Sequence, residues 1–223
     1  MGEFETIESG EATSRMYVAG DRSSGVPGVV VFHPWWGLND DVVAYAERLA
    51  GAGFAVVAPD MFGGQVATTI EEAERLARGA DEAGVDAITL AAVDRLAERV
   101  GPTAKLAALG FSFGAHPAMW SPSERDGLVA CVLYYGSTDG PFLARSSVPV
   151  LGHFAETDPY ETSEWVAEFE ANLRSAGRDV VFHRYPGTGH WFAEPSRDAF
   201  RADAAELAFE RTVAFLRKHL GPV

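Results

Sequence analysis

The chain has one cysteine, two lysines and no long apolar run, and each shortage removes a class of protein. With Cys131 alone, no internal disulfide can form. Cys131 falls in the apolar stretch 128–135, where a buried, inert thiol is expected. Lysine occurs only at Lys105 and Lys218, and the 18 basic residues face 32 acidic ones, for a formal charge of -14. Nucleic acid and anionic membrane surfaces repel so acidic a protein, and neither is an expected partner. No stretch stays apolar over the ~20 residues that a membrane-spanning helix needs. The opening residues, Met1-Gly2-Glu3-Phe4-Glu5, are acidic and lack the basic-then-apolar layout of a secretory leader, so a cytoplasmic location is expected. No grouping of His, Cys and Asp has metal-ligand spacing, and no Gly-rich loop opens a helix after the first strand as a dinucleotide site requires. Neither a metal nor a cofactor is therefore expected.

What is present suits one domain over 1–223, long enough to bury a sizeable core. Apolar, β-branched runs alternate with segments of helical period. The runs predict strands at 14–18, 28–32, 55–58, 106–110, 129–135, 148–154 and 180–185. The periodic segments predict helices at 40–52, 70–81, 85–99, 113–120, 161–176 and 197–220. Asn39 or Asp40 can cap the first helix. Strands too apolar to carry a wet face, alternating with helices, imply a mostly parallel sheet covered on both sides, an α/β architecture. Residues 6–18, broken near Ser9-Gly10, suggest an antiparallel hairpin at one edge.

The most informative segment is Gly110-Phe111-Ser112-Phe113-Gly114, which follows the apolar run 106–109. Gly-x-Ser-x-Gly after a buried strand is the layout of a nucleophile elbow, which lifts the serine hydroxyl above the sheet. The next residue, Phe113, opens a helix and has a backbone N–H free to donate to a developing oxyanion. A serine needs a base, and the base needs an acid to hold its tautomer. The order Ser112, Asp158, His190 provides all three, each just beyond a predicted strand. Asp139 and Glu156 are alternatives for the acid. Among the other histidines, His33 borders the loop after the first parallel strand and could touch substrate. His116 lies one turn beyond Ser112 and suits packing, and His153 ends a strand.

In these features the chain resembles the dienelactone hydrolase family of the α/β-hydrolases. The resemblance runs through His33-Pro34-Trp35-Trp36-Gly37-Leu38-Asn39, Val57-Ala58-Pro59-Asp60-Met61-Phe62, the serine motif, Tyr134-Tyr135-Gly136, Glu156-Thr157-Asp158 and Gly187-Thr188-Gly189-His190-Trp191-Phe192. It implies an α/β-hydrolase fold without a large lid, with Ser112, Asp158 and His190 as nucleophile, acid and base. It also implies an oxyanion hole formed by the N–H groups of Trp35 and Phe113. Trp35, Trp36, Phe62, Phe111 and Trp191 become candidate pocket walls, with Trp36, Phe62 and Trp191 contacting substrate. Three positions depart from the family's founding enzymes. Ser112 stands where they have cysteine, Pro34 where they have a thiol-activating glutamate, and Glu194 where they have an arginine that binds a substrate carboxylate. A charged Glu194 would repel an anionic substrate. The expected activity is cofactor-free hydrolysis of a small neutral ester or lactone through an acyl-enzyme, by a monomer or small homo-oligomer. A non-catalytic binding protein of the same fold, or an acyltransferase using the same triad, is the alternative.

Overall fold

The computed structural model describes residues 2–10, 12–21 and 23–221. Its centre is an eight-stranded sheet. In chain order the strands are β1 (Glu3–Ser9), β2 (Ala12–Ala19), β3 (Gly28–Phe32), β4 (Ala55–Pro59), β5 (Leu106–Phe111), β6 (Leu128–Tyr134), β7 (Val150–Ala155) and β8 (Val180–Tyr185). Across the sheet they run β1-β2-β4-β3-β5-β6-β7-β8. The hairpin β1–β2 is antiparallel and joins β4 antiparallel, whereas β3 to β8 are mutually parallel. The hairpin expected at 6–18 therefore forms, longer than its apolar pattern suggested, with Glu11 at its tip outside the described residues.

The period-2 rule explains how both faces are covered. Val29 and Val31 of β3 point into one apolar layer, together with Val42 and Leu49 of α1 (Asp40–Gly51) and Ala208 and Leu216 of α6 (Ala202–Leu220). Val30 and Phe32 point into the other layer. They meet Val93 and Leu96 of α3 (Glu82–Val100), Met119 of α4 (Ala115–Glu124) and Phe169 of α5 (Ser163–Ser175). The remaining helix, α2 (Ile70–Gly79), begins with a capping box between Thr69 and Glu72 and buries only Ala73. Asn39 caps α1 by accepting the Val42 N–H at 3.1 Å.

Three helices start later than their periodicity predicts: α5 begins at Ser163 rather than at 161, and α4 and α6 yield their first residues to turns. Residues Ser112–Gly114 form a 3-10 turn before α4. Residues 197–201 turn rather than coil, because the N–H of Arg197 is donated to Glu194 O and that of Arg201 to Phe192 O. These bonds fold the segment after His190 back on itself. Among the described residues no helix is long and apolar enough to cross a membrane.

The strand order reverses around β3, which has β4 on one side and β5 on the other. In an open parallel sheet the carboxyl ends at such a reversal leave a crevice, and loops leaving the strands there converge.

Candidate active site

Ser112 follows β5 directly and has a φ of +47°. That left-handed conformation costs a residue with a side chain about 1–3 kcal/mol, and close packing must hold it in place. The glycines of the motif provide the packing. A Cβ on Gly110 would overlap the Gly114 carbonyl oxygen, and one on Gly114 would overlap the Phe32 carbonyl oxygen. The turn thus presses against the end of β3, next to the His33–Trp35 loop.

His190 belongs to the loop after β8. Its Nε2 lies 3.0 Å from Ser112 Oγ and its Nδ1 2.7 Å from Asp158 Oδ2. The carboxylate can only accept, so the ring proton sits on Nδ1 and Nε2 is left to receive the serine proton. The side chains of His190 and Asp158 are 3 % and 2 % exposed, which strengthens each bond relative to water. Asp158 also holds its own loop, because Oδ1 accepts the N–H groups of Tyr160 and Glu161 at 2.9 and 3.0 Å. Of the three carboxylates open as the acid in the sequence, only Asp158 meets the histidine. Asp139 is exposed, and Glu156 is exposed and accepts the Gly187 N–H at 2.9 Å.

Three residues near the histidine had no role in the sequence reading. Tyr135, with a φ of +35°, lays its ring against the imidazole at a centroid distance of 5.0 Å. Tyr160, 44 % exposed, covers the imidazole at 4.9 Å and touches Trp35 and Trp191. Glu161 accepts both the N–H and the hydroxyl of Ser137, which ties the loop after β6 to the loop after β7. Its carboxyl is pushed up mainly by burial, against the pull of the Ser137 bonds. Tyr160 had a local signal, since it follows Asp158-Pro159 in the turn that Asp158 caps.

The aromatic candidates divide. Trp35 and Trp191 are partly exposed and stack at 6.0 Å beside the histidine. Phe62 packs on Phe113 at 5.2 Å and borders a cleft of about 320 Å³ that also meets Met61, Gln65, Arg75 and Leu76. Asp60 shapes this loop by accepting the N–H groups of Phe62 and Gly64. Trp36 is buried behind Trp35 and Trp191, with the Arg197 guanidinium 3.7 Å over its ring. Phe111 is core, stacked on Tyr134 at 4.7 Å.

Two sequence expectations are overturned here. His33 is wholly buried rather than open to substrate. Its Nε2 accepts the Met61 N–H at 2.9 Å, so its proton sits on Nδ1, 2.7 Å from the Pro34 carbonyl. Burial holds it below the usual histidine range. It therefore pins the loop that carries Trp35. Glu194, read from the sequence as a charge facing an anionic substrate, is 2 % exposed and accepts the Tyr135 hydroxyl at 2.9 Å. Burial outweighs that bond and pushes the carboxyl up to about 8, so near neutral pH it is mostly uncharged and repels nothing.

The buried proton has a measurable consequence. Between an ordinary value of 4.5 and about 8, the folded chain holds a proton on Glu194 that the unfolded chain has lost. Stability therefore falls as pH rises through that window. Glu194→Gln removes this loss. Its stability relative to the parent should climb from pH 4 to pH 8 by about 4 kcal/mol, read from urea unfolding at each pH. A difference independent of pH would show that Glu194 is ionised in the folded chain.

A sheet of this order, with Ser112, Asp158 and His190 on the loops leaving β5, β7 and β8, is the α/β-hydrolase fold. The dienelactone hydrolase family model matches residues 15–220, and the chain belongs to that family. The protein usf of Aquifex pyrophilus is 30% identical over 231 residues, which span 99% of this chain and 100% of that protein. An Aquifex aeolicus protein assigned as a carboxymethylenebutenolidase is 29% identical over 99% of this chain and 100% of its own length. A crystal structure from Klebsiella pneumoniae, of a protein assigned as a dienelactone hydrolase, superposes with a TM-score of 0.86 at 20% identity. That superposition covers 98% of this chain and 99% of the other, a likeness of fold. Membership of this family makes the chain a carboxylic ester hydrolase acting on an ester or lactone.

Proposed function

We propose that the chain hydrolyses a small carboxylic ester or lactone through an acyl-enzyme on Ser112. The observation that carries this reading is the unbroken hydrogen-bond chain from Ser112 Oγ through His190 to Asp158, set on a strained turn at the end of β5. Ser112 Oγ attacks the carbonyl carbon while His190 Nε2 takes its proton. The negative charge that develops on the carbonyl oxygen is met by the N–H groups of Trp35 and Phe113. Asp158 keeps the Nδ1 proton in place and stabilises the imidazolium. His190 then gives its proton to the leaving alkoxide, and the acyl group stays on Ser112. In the second half His190 deprotonates a water that attacks the acyl carbon, then gives that proton to Ser112 Oγ as the acyl–Oγ bond breaks and the acid leaves. A lactone follows the same steps, with the leaving alkoxide still tethered.

The partly exposed rings of Trp35, Trp191 and Tyr160, with Phe62 beside Phe113, favour a compact apolar acyl or alcohol group over an extended polar one. Serine suits the site as it stands. The family's thiol-activating glutamate is replaced by Pro34, and the histidine alone activates a hydroxyl.

The test combines labelling and turnover. A fluorophosphonate should modify Ser112 stoichiometrically, as located by peptide mass spectrometry. A panel of p-nitrophenyl esters and lactones should show turnover that is highest for short, apolar acyl groups. A folded protein that neither reacts with the probe nor turns over any ester would be a binding protein, and the proposal would fail.

A further inference from the structure

The imidazole of His190 leans on the ring of Tyr135, and that ring is held at three points. The Tyr135 N–H donates to the His153 carbonyl at 2.7 Å. Its ring meets Phe192 at 5.5 Å and Phe111 at 6.1 Å. Its hydroxyl donates to Glu194 Oε1. Glu194 lies four residues beyond His190, in the turn closed by Glu194 N–H to Trp191 O and Arg197 N–H to Glu194 O. One carboxyl group thus connects the loop that carries the base to the ring on which the base rests.

The groups facing this carboxyl come from every element around it. Asp41 of α1 adds like charge, and Tyr45 of α1 lines the same small cavity with Pro34 and Phe111. Arg197 adds opposite charge but lies over Trp36 and makes no hydrogen bond to the carboxyl. The imidazole of His190 meets the Tyr135 ring that this carboxyl holds, at a centroid distance of 5.0 Å. Glu194 Oε2 is buried with no hydrogen-bond partner among the described residues. A negative charge here would be buried, with a single hydroxyl donor and a neighbouring carboxylate. An arrangement with the turn opened, so that Glu194 is solvated, would accept that charge.

Building on the hydrolase reading above, we propose that Glu194 is a positioning residue for the catalytic base. As an uncharged acid it holds Tyr135 against His190, so that Nε2 stays aimed at Ser112, and its ionisation favours an opened turn in which that aim is lost. The carboxyl's displacement to about 8 puts the change within the working range of an esterase.

The experiment follows p-nitrophenyl butyrate hydrolysis and fluorophosphonate labelling of Ser112 from pH 6 to pH 10, in the parent and in Tyr135→Phe, Glu194→Ala and Glu194→Gln. The parent's kcat should fall above about pH 8, approaching tenfold per unit, as linkage to one ionisation requires. Glu194→Ala and Tyr135→Phe should lose about tenfold or more in kcat at pH 7 with KM within about twofold, the mark of a misaimed base. Glu194→Gln, an uncharged isostere, should restore neutral-pH kcat relative to Glu194→Ala and carry the plateau at least one pH unit further. The same alkaline decline in Glu194→Gln as in the parent would overturn the proposal, and if the other two variants do not fold, this comparison alone decides it. Absence of both labelling and turnover in the parent would instead overturn the hydrolase reading, and the positioning role with it. A parent that labels and turns over, with an unaltered decline in Glu194→Gln, would overturn the positioning role alone.

Discussion

Ser112→Ala is expected to lower kcat on any substrate ester by roughly three to six orders of magnitude, with circular dichroism and Tm close to the parent's. Alanine leaves the β5-to-α4 turn nearly as it is, because the left-handed φ of +47° belongs to the backbone and the glycine contacts on either side are unchanged. What disappears is the hydroxyl that lies 3.0 Å from His190 Nε2. The residual rate would come from the N–H groups at Trp35 and Phe113 and from substrate binding. Steady-state kinetics with p-nitrophenyl butyrate, together with loss of fluorophosphonate labelling, would measure it. A folded Ser112→Ala that keeps most of the activity would mean another nucleophile does the work.

The second large effect belongs to the acid. Asp158→Asn should reduce kcat by about four orders of magnitude, since an amide in this position favours the wrong histidine tautomer. The geometry explains why the fold should survive. The two carboxylate oxygens have separate tasks, with Oδ1 accepting the Tyr160 and Glu161 N–H groups and Oδ2 accepting from His190. In asparagine the single carbonyl oxygen can keep the loop bonds. The NH2 group then faces Nδ1 and requires it to be an acceptor, which moves the ring proton to Nε2, where it blocks proton transfer from Ser112. Asp139→Asn and Glu156→Gln serve as controls. Asp139 is exposed and Glu156 holds only a Gly187 N–H, so each should cost less than about tenfold. If Asp139→Asn proved the crippling change, the acid would sit after β6 and Asp158 would be a loop cap only.

These expectations show which parts of the molecule are legible in the residue string. The parallel core strands read directly, because a strand buried on both faces leaves a run such as Val29-Val30-Val31. The elbow read directly because its chemistry is local, with two glycines and a serine whose spacing makes sense only at a tight turn. The cap at Asn39 or Asp40 is legible for the same reason, since a cap bonds three residues away, and the structure assigns it to Asn39. Boundaries read less well wherever a distant carbonyl takes an N–H. The segment 197–201 has helical composition, yet it turns because Phe192 and Glu194 supply acceptors from outside it.

The sequence by itself determined the sheet-and-helix alternation, the serine's turn and the order in which Ser112, Asp158 and His190 leave their strands. These follow from periodicity and short-range bonding, which adjacent residues settle among themselves. The tertiary structure alone decided which carboxylate meets His190, since Asp139, Glu156 and Asp158 all follow strands and only a spatial distance separates them. It alone turned His33 from a possible substrate contact into the pin of the Trp35 loop. It alone turned Glu194 from an expected charge into an uncharged hydrogen-bond partner of Tyr135. The reason is that a side chain's charge depends on the water and partners around it, and residues far apart in the chain supply both.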